Sequence, residues 1–232
     1  MATFGVIIFP GSNCDHDAYH AMKHIMKCDV KFLWHKETDL SGIDFLIVPG
    51  GFSYGDYLRS GAIARFSPIM QEVVKFAEKG GPVLGICNGF QILLEARLIP
   101  GAMMHKKDLR HVCKDIFMRC ETTDNLFTSS LERNQTFNVP VSHGEGNYHI
   151  NDDGLKLLQD NDQIVFRYCN SDGELTEESN FNGSIDHIAG ITSVGKNVLG
   201  MMPHPERAME SILGSEDGKP FFDSILNSLS IA

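Results

Sequence analysis

The surroundings of Cys87 indicate chemistry more clearly than those of any other residue in this chain. Cys87 follows the apolar run at residues 82–86, precedes a helix-like run at residues 90–96, and lies between Gly85 and Gly89. This order predicts a strand, a sharp turn and a helix, because glycines are needed where the chain turns too tightly for side chains. The first amides of the helix would lie beside the sulfur and favour the nucleophilic thiolate. The alternative is a buried structural cysteine.

His204 and Glu206 are candidates for the base and the orienting group that a thiol nucleophile requires. Of the ten histidines, His204 alone lies between two prolines, at positions 203 and 205. Proline restricts its own φ and disfavours helix in the residue before it, so we expect extended backbone here. Side chains two positions apart in extended chain point to the same side, which would pair the ring with the carboxylate. A proline-stiffened surface turn is the alternative.

Gly51 and Asn88 are candidates for stabilising the oxyanion that forms when a thiolate attacks a carbonyl or amide. Glycine allows the Gly51 amide to approach a substrate closely, and the Asn88 amide comes directly after the nucleophile. The surrounding string GGFSYG, at residues 50–55, lacks the lysine ending of a P-loop and the glycine spacing of a dinucleotide site. The residues alone therefore indicate acyl transfer or amide hydrolysis by a cysteine, and they do not name the substrate.

Composition argues against several other classes of protein. The chain has 232 residues and a formal net charge of -10, whereas nucleic-acid phosphates require clustered Lys and Arg. No apolar run approaches the roughly 20 residues of a membrane span, and the N-terminal run has no basic leader. The six cysteines show no C-x-x-C spacing, which argues against zinc and thioredoxin-like sites, and without a secretion signal we expect no disulfides. We therefore expect a cytoplasmic protein with no metal, no nucleic-acid partner and no membrane partner.

The alternation of apolar and amphipathic runs predicts an α/β fold. Strands are predicted at residues 5–9, 30–35, 45–49 and 82–86, and helices at residues 15–27, 68–79 and 88–96. Helical crossovers imply a parallel sheet with helices on both faces. The second half predicts strands joined by turns, at residues 116–121, 136–142, 164–168, 188–193 and 198–202, and a last helix at residues 220–229. We predict one domain over residues 1–232, an open and mostly parallel flavodoxin-like sheet with an antiparallel extension.

The candidate residues gather at the carboxyl ends of the predicted strands, where open α/β sheets carry their sites. The first strand ends in FPGSNCD at residues 9–15, the third in PGGFSYGD at residues 49–56, and the fourth in Cys87. The segment with His204 follows the last strand. Their convergence on one edge is a stronger signal than any of these loops alone.

The strings GICNGFQ at residues 85–91, PGG at residues 49–51 and HPE at residues 204–206 resemble class I glutamine amidotransferases, over almost the whole chain. The resemblance implies that Cys87 attacks the side-chain amide of glutamine, releases ammonia and forms a thioester that water hydrolyses to glutamate. It also implies that His204 carries the proton, that Glu206 orients His204, and that Gln91 contacts the substrate.

Longer strings are similar to one branch of that family, the glutaminase subunits of phosphoribosylformylglycinamidine synthases. They are FPGSNCD, the run GGFSYGDYLRSGA at residues 50–62, and HGEG at residues 143–146. This likeness implies a role in de novo purine (IMP) synthesis, with ATP and magnesium on a separate synthetase subunit and a small third subunit that joins the two. No cofactor is expected on this chain. Candidates for the docking face are Asp56, Arg59 and the basic stretch at residues 105–111.

Two alternatives stay open beside this resemblance. One is another cysteine-nucleophile hydrolase on a similar sheet, of the peptidase or dienelactone hydrolase type, although such enzymes do not need the Pro-His-Pro-Glu arrangement. The other is a sensor with a reactive thiol, which would leave His204 and Glu206 without a purpose.

Overall fold

A computed structural model describes residues 2–104 and 111–231 of the chain. Its strands are β1 (Thr3–Ile8), β2 (Asp29–Trp34), β3 (Phe45–Val48), β4 (Val83–Ile86), β5 (Ala102–Met104), β6 (Val112–Cys120), β7 (Thr136–His143), β8 (Asn147–His149), β9 (Ile164–Cys169), β10 (Ile188–Thr192) and β11 (Val198–Met201). Its α-helices are α1 (Asp15–His20), α2 (Pro68–Glu78), α3 (Asn88–Glu95), α4 (Asp152–Asp160) and α5 (Gly218–Ile231).

Within the described residues, nine of these strands form one mixed sheet in the order β2-β1-β3-β4-β11-β10-β9-β6-β7. The pairings from β2 to β11 are parallel, and those from β11 to β7 are antiparallel. Every residue of β3 and β4 is buried, so both faces of the parallel part are covered. The predicted α/β class, with a parallel part and an antiparallel extension, is confirmed.

Several elements differ from the sequence prediction. The predicted helix at residues 15–27 divides into α1 and a π turn over Ala21–Ile25, which closes with a bond from the Met26 amide to the Ala21 carbonyl at 2.9 Å. The small antiparallel pair of β5 and β8 was not predicted, because each strand has only three residues. Helix α4 was also missed, although Asn151 is an N-cap that accepts from the Gly154 amide at 2.9 Å.

The order of the central strands places the candidate residues together. Strand β4 lies between β3 and β11, and the pairs Val48–Gly85 and Met201–Ile86 align the carboxyl ends of the three strands. The chain continues from these ends into Gly51, Cys87 and His204, respectively. Strands far apart in sequence therefore deliver these residues to one edge of the sheet, as the sequence predicted.

Among the described helices, none is long and apolar enough to cross a membrane. The prediction that the whole chain forms one domain stays a prediction.

Helix α3 approaches the end of β3 too closely for a side chain at Gly89. A methyl group there would lie 1.8 Å from the Val48 carbonyl oxygen. We expect Gly89→Ala to lower the free energy of unfolding by about 3 kcal/mol or more, because backbone must move to admit the methyl group. Urea denaturation measures this change. Gly144→Ala is the control, since a methyl group at Gly144 meets no atom within 4 Å. Equal stability of the two variants would show that α3 can move away without cost.

Candidate active site

The Cys87 turn has the strained geometry that its flanking glycines predict. Cys87 lies at the N-cap of α3 with φ 52° and ψ -107°, in a region that residues with side chains rarely occupy. The Cys87 amide donates to the Met201 carbonyl at 2.7 Å, which ties the turn to β11. A methyl group at Gly85 would lie 2.8 Å from the Gly89 carbonyl oxygen, so the turn is tightly folded. Tertiary contacts on both sides hold the thiol in place.

His204 and Glu206 form a buried pair beside this thiol. His204 Nδ1 and Glu206 Oε1 are 2.6 Å apart, and the residues are 1% and 3% exposed. The pairing does not use the extended backbone that the prolines predicted. Instead, a 3-10 turn over Pro205–Arg207 brings the carboxylate back to the ring, since proline is also well suited to the first position of a helical turn.

The electrostatics of the pair favour a protonated ring. Burial opposes the charge on His204, but the Glu206 carboxylate and then the Cys87 thiol outweigh it and raise the pKa of His204 to about 10. In the described residues, His204 Nε2 is buried without a hydrogen bond of normal geometry, although it lies within interaction range of Cys87. A methyl group at Gly50 would lie 2.8 Å from His204 Cε1 and 3.3 Å from Cys87 Cβ, which confirms how close the groups are. An imidazolium here would stabilise a thiolate.

The structure places both predicted oxyanion donors beside this pair. Gly51 has φ +126°, and a methyl group on it would lie 2.6 Å from the Asn13 amide nitrogen, so only glycine fits. The Asn88 amide is in the first turn of α3, where backbone N–H groups have no partner within the helix. Both amides stay candidates for donating to a developing negative charge.

A cavity of about 340 Å³ opens above Cys87 and is lined by residues from both halves of the chain. Its walls include Gly51, Phe52, Asp56, Ser60, Gln91, His111, Ser142, His143, Gly144 and Glu145. The Cys87 thiol points towards the Ser142 carbonyl oxygen, 3.7 Å away. The end of β7 thus closes the pocket opposite the nucleophile, and the sequence motifs gave no sign of this role for Ser142.

The side chain of Asn88 connects several parts of this pocket. Its oxygen accepts from the Ser53 amide at 3.0 Å, and its nitrogen donates to Asp56 at 3.0 Å and to Gln91 Oε1 at 2.9 Å. Gln91 Nε2 in turn donates to the Glu145 carbonyl at 2.7 Å. The sequence singled out Asn88 for its backbone amide only. Its side chain additionally fixes the orientation of the Gln91 amide.

A second thiol lies behind the pair and was also missed. Cys14 Sγ is 3.0 Å from an Arg207 guanidinium nitrogen, and Arg207 also donates to Asp17 at 2.8 Å. Burial raises the pKa of Cys14, with the nearby Glu206 charge adding to the effect and Arg207 opposing it. The signal available in sequence was the position of Arg207 directly after Glu206. These contacts anchor the turn that carries Glu206.

The candidate docking residues do not lie on one common face of the structure. Asp56 lines the cavity, and Arg59 pairs with Glu95 at 2.5 Å on the surface. Of the basic stretch, residues 105–110 lie outside the described residues. His111 lines the cavity and lies 3.1 Å from the Ser142 hydroxyl.

No group of three or more His, Cys, Asp or Glu side chains suited to a metal ion occurs in the part of the chain that the structure describes. A larger cavity of about 530 Å³ between the ends of α3 and α4 is mostly apolar and includes none of the candidate catalytic residues. The chemistry is therefore concentrated at the smaller cavity.

The site consists of a strand, a strained cysteine turn and a helix, with a buried His–Glu pair at the neighbouring strand end. This arrangement is typical of α/β enzymes with a cysteine nucleophile. The model of the CobB/CobQ-like glutamine amidotransferase domain matches residues 2–219. The chain therefore belongs to this glutamine amidotransferase family, and the resemblance seen in the motifs is confirmed.

Individual relatives are similar over their full length. The chain is 56% identical to the phosphoribosylformylglycinamidine synthase subunit PurQ of Salinibacter ruber, over 99% of this chain and 98% of that protein. It is 55% identical to the PurQ of Koribacter versatilis, over 98% of both chains. A chain in the structure of PurLQS from Thermotoga maritima has a TM-score of 0.86 and 40% identity, over 98% of this chain and 99% of that one.

We expect the imidazolium of His204 to keep Cys87 reactive at neutral pH. Alkylation of Cys87 by iodoacetamide at neutral pH should be faster than in His204→Asn, because the pKa of His204 is raised to about 10 and the charged ring stabilises the attacking thiolate. The advantage of the wild type over His204→Asn should disappear as the pH rises through about 10, where the His204 ring loses its charge. Peptide mass spectrometry measures the rate at each cysteine.

Exposed Cys113 is the internal reference in both proteins, since it lies outside the cavity. Identical pH profiles for Cys87 in the two proteins would remove His204 from any role in forming the thiolate.

Proposed function

We propose that this chain is the glutaminase subunit of a phosphoribosylformylglycinamidine synthase. It hydrolyses glutamine to glutamate and passes ammonia to a separate ATP-dependent synthetase subunit in de novo purine synthesis. The observation that carries the proposal is a buried carboxylate–imidazole pair beside a strained cysteine, in a chain 56% identical over nearly its whole length to a subunit of that synthase. Neither a peptidase nor a thiol sensor accounts for this combination.

In the first half of the reaction, the Cys87 thiolate attacks the side-chain amide carbon of glutamine and a C–S bond forms. The amides of Gly51 and Asn88 donate to the oxyanion. The protonated ring of His204 gives its proton to the amide nitrogen, the C–N bond breaks, and ammonia leaves. A γ-glutamyl thioester stays on Cys87. Glu206 holds the ring through Nδ1, which leaves Nε2 to carry the proton.

In the second half, water hydrolyses the thioester. The now neutral His204 takes a proton from the water as the water oxygen attacks the thioester carbon, again with the oxyanion facing Gly51 and Asn88. The C–S bond then breaks and glutamate leaves, its new γ-carboxyl group releasing the second proton of the water to solvent. The thiolate and the imidazolium are restored, so the cycle balances without any cofactor on this chain. Gln91, held in the cavity wall by Asn88 and the Glu145 carbonyl, contacts the substrate.

The released ammonia requires a partner. Free ammonia is protonated and lost in water, so the synthetase subunit and a small bridging subunit would enclose its route, and ATP and magnesium would bind to the synthetase. The solved relative is part of a structure named PurLQS, which supports an assembly of this kind. We place the chain in the cytoplasm, which agrees with six cysteines that are all free.

In the reconstituted complex, Cys87→Ala should abolish synthesis driven by glutamine and leave synthesis driven by added ammonium salt within about twofold of wild type. The reason is that the ammonia-consuming step belongs to another chain. Formation of the amidine product from each nitrogen source is measured with ATP and the nucleotide substrate present. Cys113→Ala, which changes an exposed cysteine, is the control. Loss of both activities in a variant that still assembles would contradict the proposal.

His204→Ala should lower glutamine turnover by about 10³-fold or more, because the base and the nucleophile act as a unit. Glu206→Gln should cost less, since an amide can still accept from Nδ1 but no longer stabilises the charged ring. Glutamate release by the complex measures both. His149→Ala, which changes a histidine on the exposed end of β8, is the control. A His204→Ala variant within tenfold of wild type would exclude His204 from catalysis.

A further inference from the structure

Asp56 is a charged residue in the cavity wall that the mechanism above does not use. It lines the same cavity as Cys87, and its carboxylate is tied to the nucleophile turn because Asn88 Nδ2 donates to Asp56 Oδ1 at 3.0 Å. The Ser60 side chain and the Gly61 backbone also favour the charged form of this carboxylate, since both lower its pKa. All of these donors are neutral. A carboxylate has about four lone-pair positions, so these donors leave room for one more.

The charge of Asp56 is not balanced by the protein that the structure describes. Over residues 2–104 and 111–231, it forms no ion pair. Burial raises the pKa of Asp56, and the charge of Glu145 raises it further, against the hydrogen bonds from Ser60 and Asn88. A partly desolvated carboxylate gains more from a cationic ligand than one in water does.

We propose that Asp56 determines substrate specificity by binding the α-ammonium group of glutamine. This inference rests on the proposed function, since it assigns part of the substrate to one end of that cavity. With the side-chain amide of glutamine at Cys87, the α-ammonium is the only cation that the substrate can offer to the wall. Asp56 therefore selects an α-amino acid over other primary amides, and Asn88 sets the distance between the site of attack and the site of recognition.

The test compares glutamine with glutaramate, which has the same amide and carboxylate but no α-amino group. Glutamate or glutarate release is measured for the complete complex with ATP and nucleotide. Asp56→Asn keeps an oxygen that can accept from Asn88 and removes the charge. We expect it to lower kcat/KM for glutamine by about 100-fold, the size of one charged hydrogen bond in a partly buried site. The value for glutaramate should stay within about threefold of wild type.

Glu95→Gln is the matched control. Glu95 pairs with Arg59, which lies three residues after Asp56 on the same loop, but the Glu95 carboxylate is outside the cavity. It should leave both substrates unchanged. The rate of Cys87 alkylation by iodoacetamide, which carries no ammonium group, should be the same in Asp56→Asn as in wild type. That result shows that the nucleophile turn is intact.

Each result has a distinct meaning. Equal losses of kcat/KM on both substrates in Asp56→Asn would mean that the residue only supports the loop. No loss on either substrate would mean that Asp56 does not touch the substrate. Either result overturns the inference. These outcomes leave the proposed function standing, provided that wild type releases glutamate. A wild-type complex that hydrolyses no glutamine would instead overturn the proposed function.

Discussion

The close approach of α3 to the ends of β3 and β4 is the constraint on which the site depends. A side chain at Gly89 would overlap the Val48 carbonyl, and one at Gly85 would press on the backbone of Gly89. With no space between helix and strands, the residue that joins them takes a positive φ, and that residue is Cys87. Such a conformation costs about 1–3 kcal/mol. Buried strands on both sides hold it, and the result is a thiol raised from the sheet at the positive end of a helix.

This constraint determines where every other group must lie. Because β4 is paired with β3 on one side and β11 on the other, the loops after β3 and β11 both reach the thiol. The first brings the Gly51 amide, and the second brings His204 and Glu206. The His204–Glu206 pair is 1–3% exposed, and its charge is stable there only because the carboxylate and the thiol lie on opposite sides of the ring. A thiolate, an imidazolium and a carboxylate then alternate in sign across the site.

The sequence predicted the parts of the site that depend on local chemistry. Gly85 and Gly89 indicate the turn at Cys87 without any knowledge of the fold, and the paired prolines single out His204. The prolines did not predict the backbone conformation that brings Glu206 to His204. Proline is compatible both with extended chain and with the first position of the 3-10 turn that the structure adopts. The hydrogen bonds that the Asn88 side chain makes to Ser53, Asp56 and Gln91 could not be predicted from the sequence. These bonds require positive φ at Tyr54 and Asp56. Neither residue is a glycine, and tertiary contacts set their conformation.

The strained loop and the nucleophile share one support. Asn88 is the residue after Cys87, and its side chain accepts from the Ser53 amide at one end of the loop and donates to Asp56 at the other. Any shift of α3 that moves the thiol also moves the loop that carries Gly51 and Asp56. The reacting atom, an oxyanion donor and the Asp56 carboxylate therefore keep a fixed spacing. Catalysis by proximity requires a spacing of this kind, since errors of about 1 Å in position are costly. A helix terminus maintains it better than a free loop would.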